Sequence, residues 1–418
     1  MRDGRRWQRL GGPAVTAVLV AALLMTAAPP SPAAADPEGL RLSGGPVESV
    51  APGVTYRQGT VESRRGATRV HLVTVYLGRA GLSAGLLHAG AVAAREPVGR
   101  LAELSGAVAA VNGDFFNIEE SQHPGIEPTG APVGPEVENG LPLKAAVPTA
   151  QRFGAPPPPG TGVRDVLGAT FDGRIALGRL TLHGTVRRGG EAVPLGGLNQ
   201  YALPVDGIGA FTTAWGPASR ARAVCGTDLR RGDPCSVDTY EVTVRRGRVA
   251  ERSEAPGSGR VAEDSVVLLG REGGARYLRT LRPGDPVSVD RRLVDRAGRA
   301  FRWALGAAPL MADGQLPAGL DDQQAEPRTA VGVGADGRTL FLLCCDGRGG
   351  DSAGLTVRET ARLLRGLGAR TAAGLDGGGS STLVTRDGPA GRVVVRNHLD
   401  GGQQRPVPNG VGIFTTGR

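Results

Sequence analysis

The chain has 418 residues, of which 21% are charged, and a formal net charge of +9 at pH 7. Nearly all of the positive charge comes from scattered arginines, Lys144 is the only lysine, and only 4% of the residues are aromatic. Nucleic-acid-binding proteins usually cluster basic residues and supply aromatic rings for base stacking, so we expect no nucleic-acid partner. The scattered positive charge is more compatible with a polyanionic cell-wall or sugar-phosphate partner than with nucleic acid.

The first 35 residues have the order of an export signal. Arginines at positions 2, 5, 6 and 9 precede an apolar run at 14–28, and small residues end at Ala35. This order is typical of a signal peptide, with cleavage after Ala35, and the run is shorter than the roughly 20 residues that cross a bilayer. We expect a secreted protein, extracellular or cell-wall associated, without membrane contact after cleavage. An uncleaved anchor is the alternative, and both Sec and twin-arginine export stay open.

Residues 36–66 contain several prolines and glycines, which indicates an irregular N-terminal segment. In the next segment, 67–155, a Val- and Leu-rich run at 68–77 predicts a strand. Residues 98–104 predict a short helix that ends at a glycine. A buried strand at 107–111 follows and runs into Asn112-Gly113-Asp114.

Residues 156–300 have a different pattern. Four prolines at 156–159 form a stiff, extended stretch that marks a boundary or an exposed loop. Short strand-like runs then alternate with Gly, Arg, Asp and Pro turns, at 175–182, 192–195, 239–244, 265–269 and 286–289. These runs predict a β-rich central insertion or lobe. Inside it, Cys225 and Cys235 flank a polar loop and could close a disulfide in an exported protein.

Residues 301–418 return to a strand and helix pattern. Apolar runs at 338–345 and 370–375 predict strands, and Thr356 with Glu359 has the spacing of a helix capping box. Segments 381–385 and 392–395 predict a hairpin. Cys344 and Cys345 are adjacent on the first strand, where we expect buried small residues more than a vicinal disulfide. The fold class predicted for the whole chain is α+β, with a mixed sheet, flanking helices and the β-rich central segment.

Two regions of the chain repeat one arrangement. Each has a helix, a glycine, an Ala-rich strand and then Asn-Gly or Asp-Gly at the carboxyl end of the strand. Because open α/β sheets bind ligands at that end of their strands, we expect two strands of one sheet to bring Asn112, Asp114 and Asp376 to one rim. Asn112 could orient a sugar hydroxyl or a phosphate oxygen, and Asp114 could serve as acid, base or metal ligand. An ordinary Asn-Gly turn is the alternative for this motif.

The second of these regions ends in Asp376-Gly377-Gly378-Gly379-Ser380-Ser381. Three consecutive glycines lose much backbone entropy on folding unless the chain bends sharply or approaches a ligand closely. Such a loop can direct several N–H groups at a phosphate. A simple tight turn is the alternative, since the chain has 67 glycines.

Other polar residues flank the predicted strands. Arg328 directly precedes an apolar strand and could make a bidentate contact with phosphate, or only a surface ion pair. Asp346 follows strand 338–345, and Asn409 and His398 lie in the C-terminal tail. Acids at strand ends could also hold a divalent cation, although no ligand spacing indicates one.

Taken in order, these motifs resemble the phosphodiester glycosidase family, from about residue 66 to the C-terminus. The motifs that carry the resemblance are 111–116, 328–332, 346–348, 375–382 and 409–411. The resemblance implies a hydrolase that cleaves sugar-1-phosphodiesters at the C1–O bond, with a phosphorylated cell-wall or exopolysaccharide glycan as substrate.

The resemblance also implies roles for individual residues. Asp376 or Asp114 would do the carboxylate chemistry of an oxocarbenium-like transition state, with Asp346 as a further catalytic candidate and Arg328 on the phosphate. The substrate-binding candidates are Asn112, Gly113, Gly377, Gly378, Gly379, Ser380, Ser381 and Asn409. A phosphoesterase that cleaves P–O, and a non-catalytic cell-wall glycan-binding protein, are the alternatives.

Overall fold

Extended segments dominate the fold: 42% of the residues lie in strands and 11% in helices. The computed structural model describes residues 39–347, 352–388 and 391–416. The predicted signal peptide, 1–35, and Arg348 of the motif at 346–348 therefore lie outside the described residues. The α+β class is compatible with the structure only in part, because strands far outnumber helices.

The described residues form the following elements. The helices are α1 (Val98–Ser105), α2 (Gly273–Arg279) and α3 (Val357–Gly366). The strands are β1 (Val47–Ala51), β2 (Val54–Ser63), β3 (Gly66–Tyr76), β4 (Leu82–His88), β5 (Ala109–Asn112), β6 (Glu136–Glu138), β7 (Leu141–Lys144), β8 (Asp165–Thr170), β9 (Ile175–Arg188), β10 (Glu191–Pro194), β11 (Gly197–Leu198), β12 (Ile208–Phe211), β13 (Thr239–Arg245), β14 (Arg248–Ser253), β15 (Ser265–Arg271), β16 (Ser288–Asp295), β17 (Phe301–Gly306), β18 (Ala308–Met311), β19 (Arg328–Gly334), β20 (Thr339–Cys345), β21 (Ala369–Gly374), β22 (Leu383–Arg386), β23 (Val393–Val395) and β24 (Asn409–Thr415).

These strands form four sheets. Sheet I has the order β1-β2-β3-β20-β19-β21-β18, and sheet IV has the order β23-β22-β5-β24-β4. Sheet II has the order β10-β9-β8-β17-β6-β7, with β16 also paired to β9, and sheet III has the order β11-β12-β15-β13-β14. Within the described part of the chain only β11 and β12 pair in parallel, so sheets I and IV are antiparallel throughout rather than mixed.

Sheets I and IV pack face to face between two helices. Successive residues of a strand point to opposite faces, and β3 shows the result. Val73 shares a buried cluster with Val111 of sheet IV, whereas Leu72 shares another with Leu363 of α3. On the far side of sheet IV, Leu101 of α1 belongs to a third cluster. The layers therefore run α3, sheet I, sheet IV, α1.

Elements with a local sequence signal were predicted correctly. The strand predicted at 68–77 is β3, and the helix predicted at 98–104 is α1, which ends at Gly106 with a φ of 74°. The capping box of α3 is present in both directions, between Thr356 and Glu359. The predicted hairpin is the β22–β23 pair. The five runs predicted in the central segment overlap β9, β10, β13, β15 and β16.

Two further expectations about the fold were wrong, and one helix was missed. Residues 36–66 are not irregular, because β1 and β2 lie there and β2 pairs with β3 along its whole length. Helix α2 was not predicted. Asn112 and Asp376 do not follow strands of one sheet, because β5 belongs to sheet IV and β21 to sheet I.

The central segment shares a sheet with the rest of the chain. Strands β6, β7 and β17 join β8, β9 and β10 in sheet II, while sheet III and α2 form their own buried cluster around Leu268 and Leu278. None of the helices among the described residues is long and apolar enough to cross a membrane.

Candidate active site

The ends of β5 and β21 meet although their strands belong to different sheets. The backbone N–H of Asp376 donates a hydrogen bond of 2.8 Å to the carbonyl oxygen of Gly113. The side-chain amide of Asn112 donates one of 2.7 Å to the carbonyl oxygen of Asp376. The structure therefore brings Asn112, Asp114 and Asp376 to one place, at the seam between sheets I and IV.

The side chain of Asn112 joins three neighbouring segments through hydrogen bonds. Its side chain is fully buried, and its Oδ1 accepts hydrogen bonds from the Thr329 hydroxyl (2.7 Å) and the Thr382 N–H (3.0 Å). Because its amide also donates to Asp376, these partners occupy both ends of the carboxamide. The substrate-binding role of Asn112 stays a prediction, and its carboxamide is engaged by protein groups.

The carboxamide of Asn409 is likewise engaged by protein groups. It is also fully buried; its Oδ1 accepts from the N–H of Asp114 (2.8 Å) and its Nδ2 donates to Glu136 (2.7 Å). A β-carbon on Gly113 would collide with this amide. Gly113 is therefore required by close packing against Asn409, and it contributes its carbonyl to Asp376.

Asp114 is enclosed by protein. Its Oδ2 accepts a hydrogen bond of 2.5 Å from the N–H of Gly134, and a β-carbon on Gly306 would collide with the same oxygen. Burial raises the pKa of Asp114, while the hydrogen bond from Gly134 and the charge of Lys144 oppose the increase. The two glycines therefore allow the backbone to close tightly around this carboxyl group.

Lys144 and Glu136, which sequence reasoning missed, complete the buried network around Asp114. The ammonium of Lys144 donates to the carbonyl oxygens of Val133 (3.1 Å), Gly134 (2.8 Å) and Ala145 (2.6 Å). Burial raises the pKa of Glu136 and lowers that of Lys144, and their mutual attraction opposes both shifts. Lys144 is the only lysine in a chain that otherwise uses arginine, and this was the sequence feature that could have identified it.

Asp376 is the more accessible carboxylate. It is partly exposed, yet burial raises its pKa to about 7, with a smaller contribution from the negative charge of Asp114. A hydrogen bond from Ser380, the charge of Arg405 and the N–H of Gly377 act in the opposite direction on this pKa. A carboxyl group of this pKa changes protonation near neutral pH, as acid–base catalysis requires.

At each position of the 377–379 loop a different feature of the structure disfavours a residue larger than glycine. A β-carbon on Gly377 would lie 2.9 Å from the carbonyl oxygen of Pro327, and Gly378 has a left-handed φ of 57°. A β-carbon on Gly379 would collide with the guanidinium of Arg405, which also donates to the Ser380 hydroxyl (3.2 Å).

Most N–H groups of the loop that was predicted to bind phosphate are used within the protein. The N–H groups of Gly378, Ser380 and Ser381 donate to carbonyl oxygens of the protein, and that of Gly377 serves Asp376. Those donors are consequently unavailable to a ligand. The loop instead positions Asp376 and Ser380, and it packs against Arg405.

Next to this loop lies a cavity of about 450 Å³. Its polar wall includes Arg152, Arg328 and Thr329, and its apolar wall includes Phe115, Leu375 and the four prolines 156–159. Leu375 directly precedes Asp376. The proline stretch therefore forms part of a cavity wall, which its composition did not indicate.

Arg328, the predicted phosphate ligand, is largely occupied by the protein. Its Nε donates to the carbonyl of Leu355 (3.1 Å) and its Nη2 to that of Gln324 (2.6 Å). The carboxylates of Asp321 and Glu326 lie 3.9 Å and 4.0 Å from its guanidinium. The two hydrogen bonds tie the start of β19 to neighbouring segments, and the carboxylates offset part of the charge of Arg328.

Asp346 belongs to a neighbouring buried cluster. Its carboxylate accepts from the N–H of His398 (2.9 Å) and lies 3.3 Å from His71 and 3.5 Å from Arg69. His71 in turn contacts the hydroxyl of Tyr56 at 2.8 Å. The contacts of Asp346 within the described residues are thus with this cluster and not with Asp376.

The cysteines follow the prediction: Cys225 and Cys235 form a disulfide, and Cys344 and Cys345 are buried free thiols. Over residues 39–347, 352–388 and 391–416, no three His, Cys, Asp or Glu side chains converge as a metal site would require.

Part of the chain matches a known protein family. Residues 238–414 match the profile of the phosphodiester glycosidase family. The resemblance inferred from the motifs is confirmed, and so is the expected class of protein, a hydrolase. The match includes Asp376 and Arg328 but not Asp114 or Arg152. No curated protein matches the sequence significantly.

Solved structures share the fold. A hypothetical protein from Synechocystis is 22% identical over 90% of this chain and 68% of its own, with a TM-score of 0.68. A Burkholderia pseudomallei K96243 protein, whose name describes it as exported, is 20% identical over 90% of this chain and 97% of its own, with a TM-score of 0.69. The zebrafish N-acetylglucosamine-1-phosphodiester alpha-N-acetylglucosaminidase catalytic domain, auto-inhibited by its pro-peptide, is 14% identical over 90% of this chain and 88% of its own; its TM-score of 0.42 is too low to carry an argument.

Proposed function

We propose that this chain, whose residues 238–414 match the phosphodiester glycosidase family, hydrolyses sugar-1-phosphodiesters at the C1–O bond with Asp376 as the acting carboxylate. One observation carries the proposal. Asp376 is a partly exposed residue, burial raises the pKa of its carboxyl group to about 7, and it directly follows a residue of a cavity that two arginines line. Asp114 is too enclosed to reach a substrate in this arrangement.

The chemistry of the bond suits these groups. Cleavage at C1 passes through an oxocarbenium-like transition state, which a carboxylate stabilises by attack on C1 or by activation of water. The leaving group is a phosphate monoester, so it needs less proton donation than an alcohol does. Fixed positive charge in the cavity stabilises the negative charge that this leaving group gains.

The substrate class and location form part of the proposal. A phosphorylated glycan of a cell wall or exopolysaccharide, met outside the cell, supplies the anionic partner that a net charge of +9 favours. The basic and apolar order of the first 35 residues supports secretion, as does the description of the Burkholderia pseudomallei neighbour as exported.

The test is hydrolysis of a panel of sugar-1-phosphodiesters in water labelled with heavy oxygen. Cleavage at C1–O puts the label in the released sugar. Label in the phosphate would instead show P–O cleavage by a phosphoesterase, and no turnover across the panel would favour a non-catalytic glycan-binding protein.

Two variants assign the reaction to the site. Asp376→Asn should reduce kcat/KM by about 1,000-fold or more, as loss of a reacting group commonly does. Asp172→Asn, the same change in the exposed β8–β9 turn, should leave kcat/KM unchanged. Equal activity of Asp376→Asn and wild type would remove Asp376 from the mechanism.

A further inference from the structure

The two arginines of the cavity differ in what surrounds their guanidinium groups. Arg328 donates from Nε and Nη2 to carbonyl oxygens, and two carboxylates lie within 4.0 Å of it. Among the residues that the structure describes, Arg152 has no such set of partners. Its Nη1 is buried and donates to no acceptor there. A buried donor without an acceptor is destabilising, so of the two arginines Arg152 has the greater capacity to bind an acceptor.

The guanidinium of Arg152 is held in one orientation by an aromatic ring. It lies over the ring of Phe115 with 4.5 Å between the guanidinium carbon and the ring centroid. Gly154, two residues along, has a left-handed φ of 83°, and a β-carbon there would collide with the same ring. Phe115 directly follows Asp114, so this contact fixes Arg152 relative to the paired loops.

The backbone on both sides of Arg152 is anchored. The carbonyl of Arg152 accepts from Arg231 (2.7 Å). The preceding residue, Gln151, donates to the carbonyl of Thr227 (2.7 Å) and accepts from Arg222 (3.0 Å). A residue held this firmly loses little conformational entropy when it binds a ligand.

Arg152 also lies close to both acids of the site. Burial lowers its pKa, and the negative charges of Asp114 and Asp376 oppose that change. An anionic phosphate near Asp376 would be repelled unless a cation lay nearby. The planar fork of an arginine matches two phosphate oxygens.

We propose that Arg152, and not Arg328, binds the phosphate of the substrate in the cavity beside Asp376. This assignment rests on the proposed function. The phosphate oxygens accept from the guanidinium of Arg152, which lines the cavity, while Phe115 supports its ring-facing side. Arg328 instead keeps the start of β19 attached to Leu355 and Gln324.

The test measures binding of inorganic phosphate to wild type, Arg152→Gln and Arg328→Gln by calorimetry, without turnover. Loss of a charge-assisted contact should raise the Kd for phosphate about 10- to 100-fold in Arg152→Gln. Arg328→Gln should change that Kd less than threefold but lower the Tm, because it loses bonds within the protein. Arg152→Lys should recover part of the affinity, since it restores the charge without the planar fork.

Each outcome decides one of the two proposals. A Kd that rises for Arg328→Gln and not for Arg152→Gln overturns the assignment, as does a wild type that binds no phosphate at millimolar concentrations. If phosphate binding depends on Arg152 but the wild type hydrolyses no sugar-1-phosphodiester of the panel, the assignment of Arg152 is supported and the proposed function is rejected. If the wild type hydrolyses the panel but Arg152→Gln binds phosphate as well as wild type does, the proposed function is supported and the assignment of Arg152 is rejected.

Discussion

The backbone N–H of Asp376 donates a hydrogen bond of 2.8 Å to the carbonyl oxygen of Gly113, and this bond joins two loops that leave different sheets. Asp114 comes next to Gly113, so the bond brings together one enclosed and one accessible carboxyl group. The negative charge of Asp114 raises the pKa of Asp376. Burial raises the pKa of both acids, and they differ in accessibility because of position rather than residue type.

The pH dependence of hydrolysis should report the ionisation of Asp376. With Asp376 acting as a carboxylate, kcat/KM should fall as pH decreases through about 7, the pKa that burial gives this group. Initial rates from pH 5 to 9 measure this profile. Activity that rises as pH decreases through 7 would instead assign Asp376 the role of proton donor.

Arg405→Gln should move that profile to higher pH. The positive charge of Arg405 lowers the pKa of Asp376, so its removal should raise the pKa and require more alkaline conditions for the same ionised fraction. Arg100→Gln, at an exposed position of α1, is a control of equal charge change. A profile that moves equally in both variants would attribute the shift to net charge.

Asp376→Asn should stabilise the protein above pH 7. The pKa of Asp376 rises from 3.8 to about 7 on folding, so the unfolded chain binds fewer protons in this interval. The contribution of Asp376 to stability is therefore complete below about pH 4 and is lost as pH rises through 7. The difference in Tm between variant and wild type should accordingly grow from pH 5 to pH 8; a difference independent of pH would contradict this.

Lys144→Met should lower the free energy of unfolding by about 3–5 kcal/mol, the usual cost of leaving a buried charge without its partner. It removes the donor to three carbonyl oxygens and the charge that faces Glu136 and Asp114. In a Glu136→Gln background the cost should be smaller, because one buried acid is then neutral. Denaturant unfolding of the double-mutant cycle measures this coupling, and strictly additive costs would argue against it.

Loss of the disulfide should destabilise the chain measurably. Cys225 and Cys235 are 10 residues apart, and closing a loop of that size contributes about 3 kcal/mol in the chain-entropy account. The Cys225→Ser/Cys235→Ser variant should have a lower Tm, and dithiothreitol should lower the Tm of wild type but not of the variant. The buried Cys344 and Cys345 should resist thiol reagents until the protein unfolds, which provides the internal comparison.

Prediction from the sequence succeeded where a few neighbouring residues carry the signal. The Thr356–Glu359 capping box and the glycine that ends α1 are local hydrogen-bonding and backbone requirements, and both were recognised. Strand β2 was missed because the prolines and glycines of residues 36–66 were given more weight than the strand pattern, and because its stability comes from pairing with β3 along its whole length. Such pairing across strands is invisible in composition alone.

Roles of polar residues were harder to predict. Asn112 and Asn409 have the residue types of a ligand site, but their amide groups are used within the protein, and Arg328 donates from two of its three nitrogens to carbonyl oxygens. Arg152 follows no strand and carries no motif, yet it lines the cavity, and within the described residues its buried Nη1 donates to no acceptor. The residue type determines which hydrogen bonds a side chain can form. Its neighbours in the folded protein determine which of those hydrogen bonds are still available to a ligand.

By itself the sequence determined the family resemblance, the acid at the head of the glycine loop and most of the regular elements, since these depend on residues close in the chain. The tertiary structure alone decided that Asp376 and Asp114 come from two sheets, that one is accessible and the other enclosed, and that Arg152 faces the cavity. Burial, proximity and hydrogen-bond occupancy are properties of residues far apart in sequence. They exist only once the sheets have packed together.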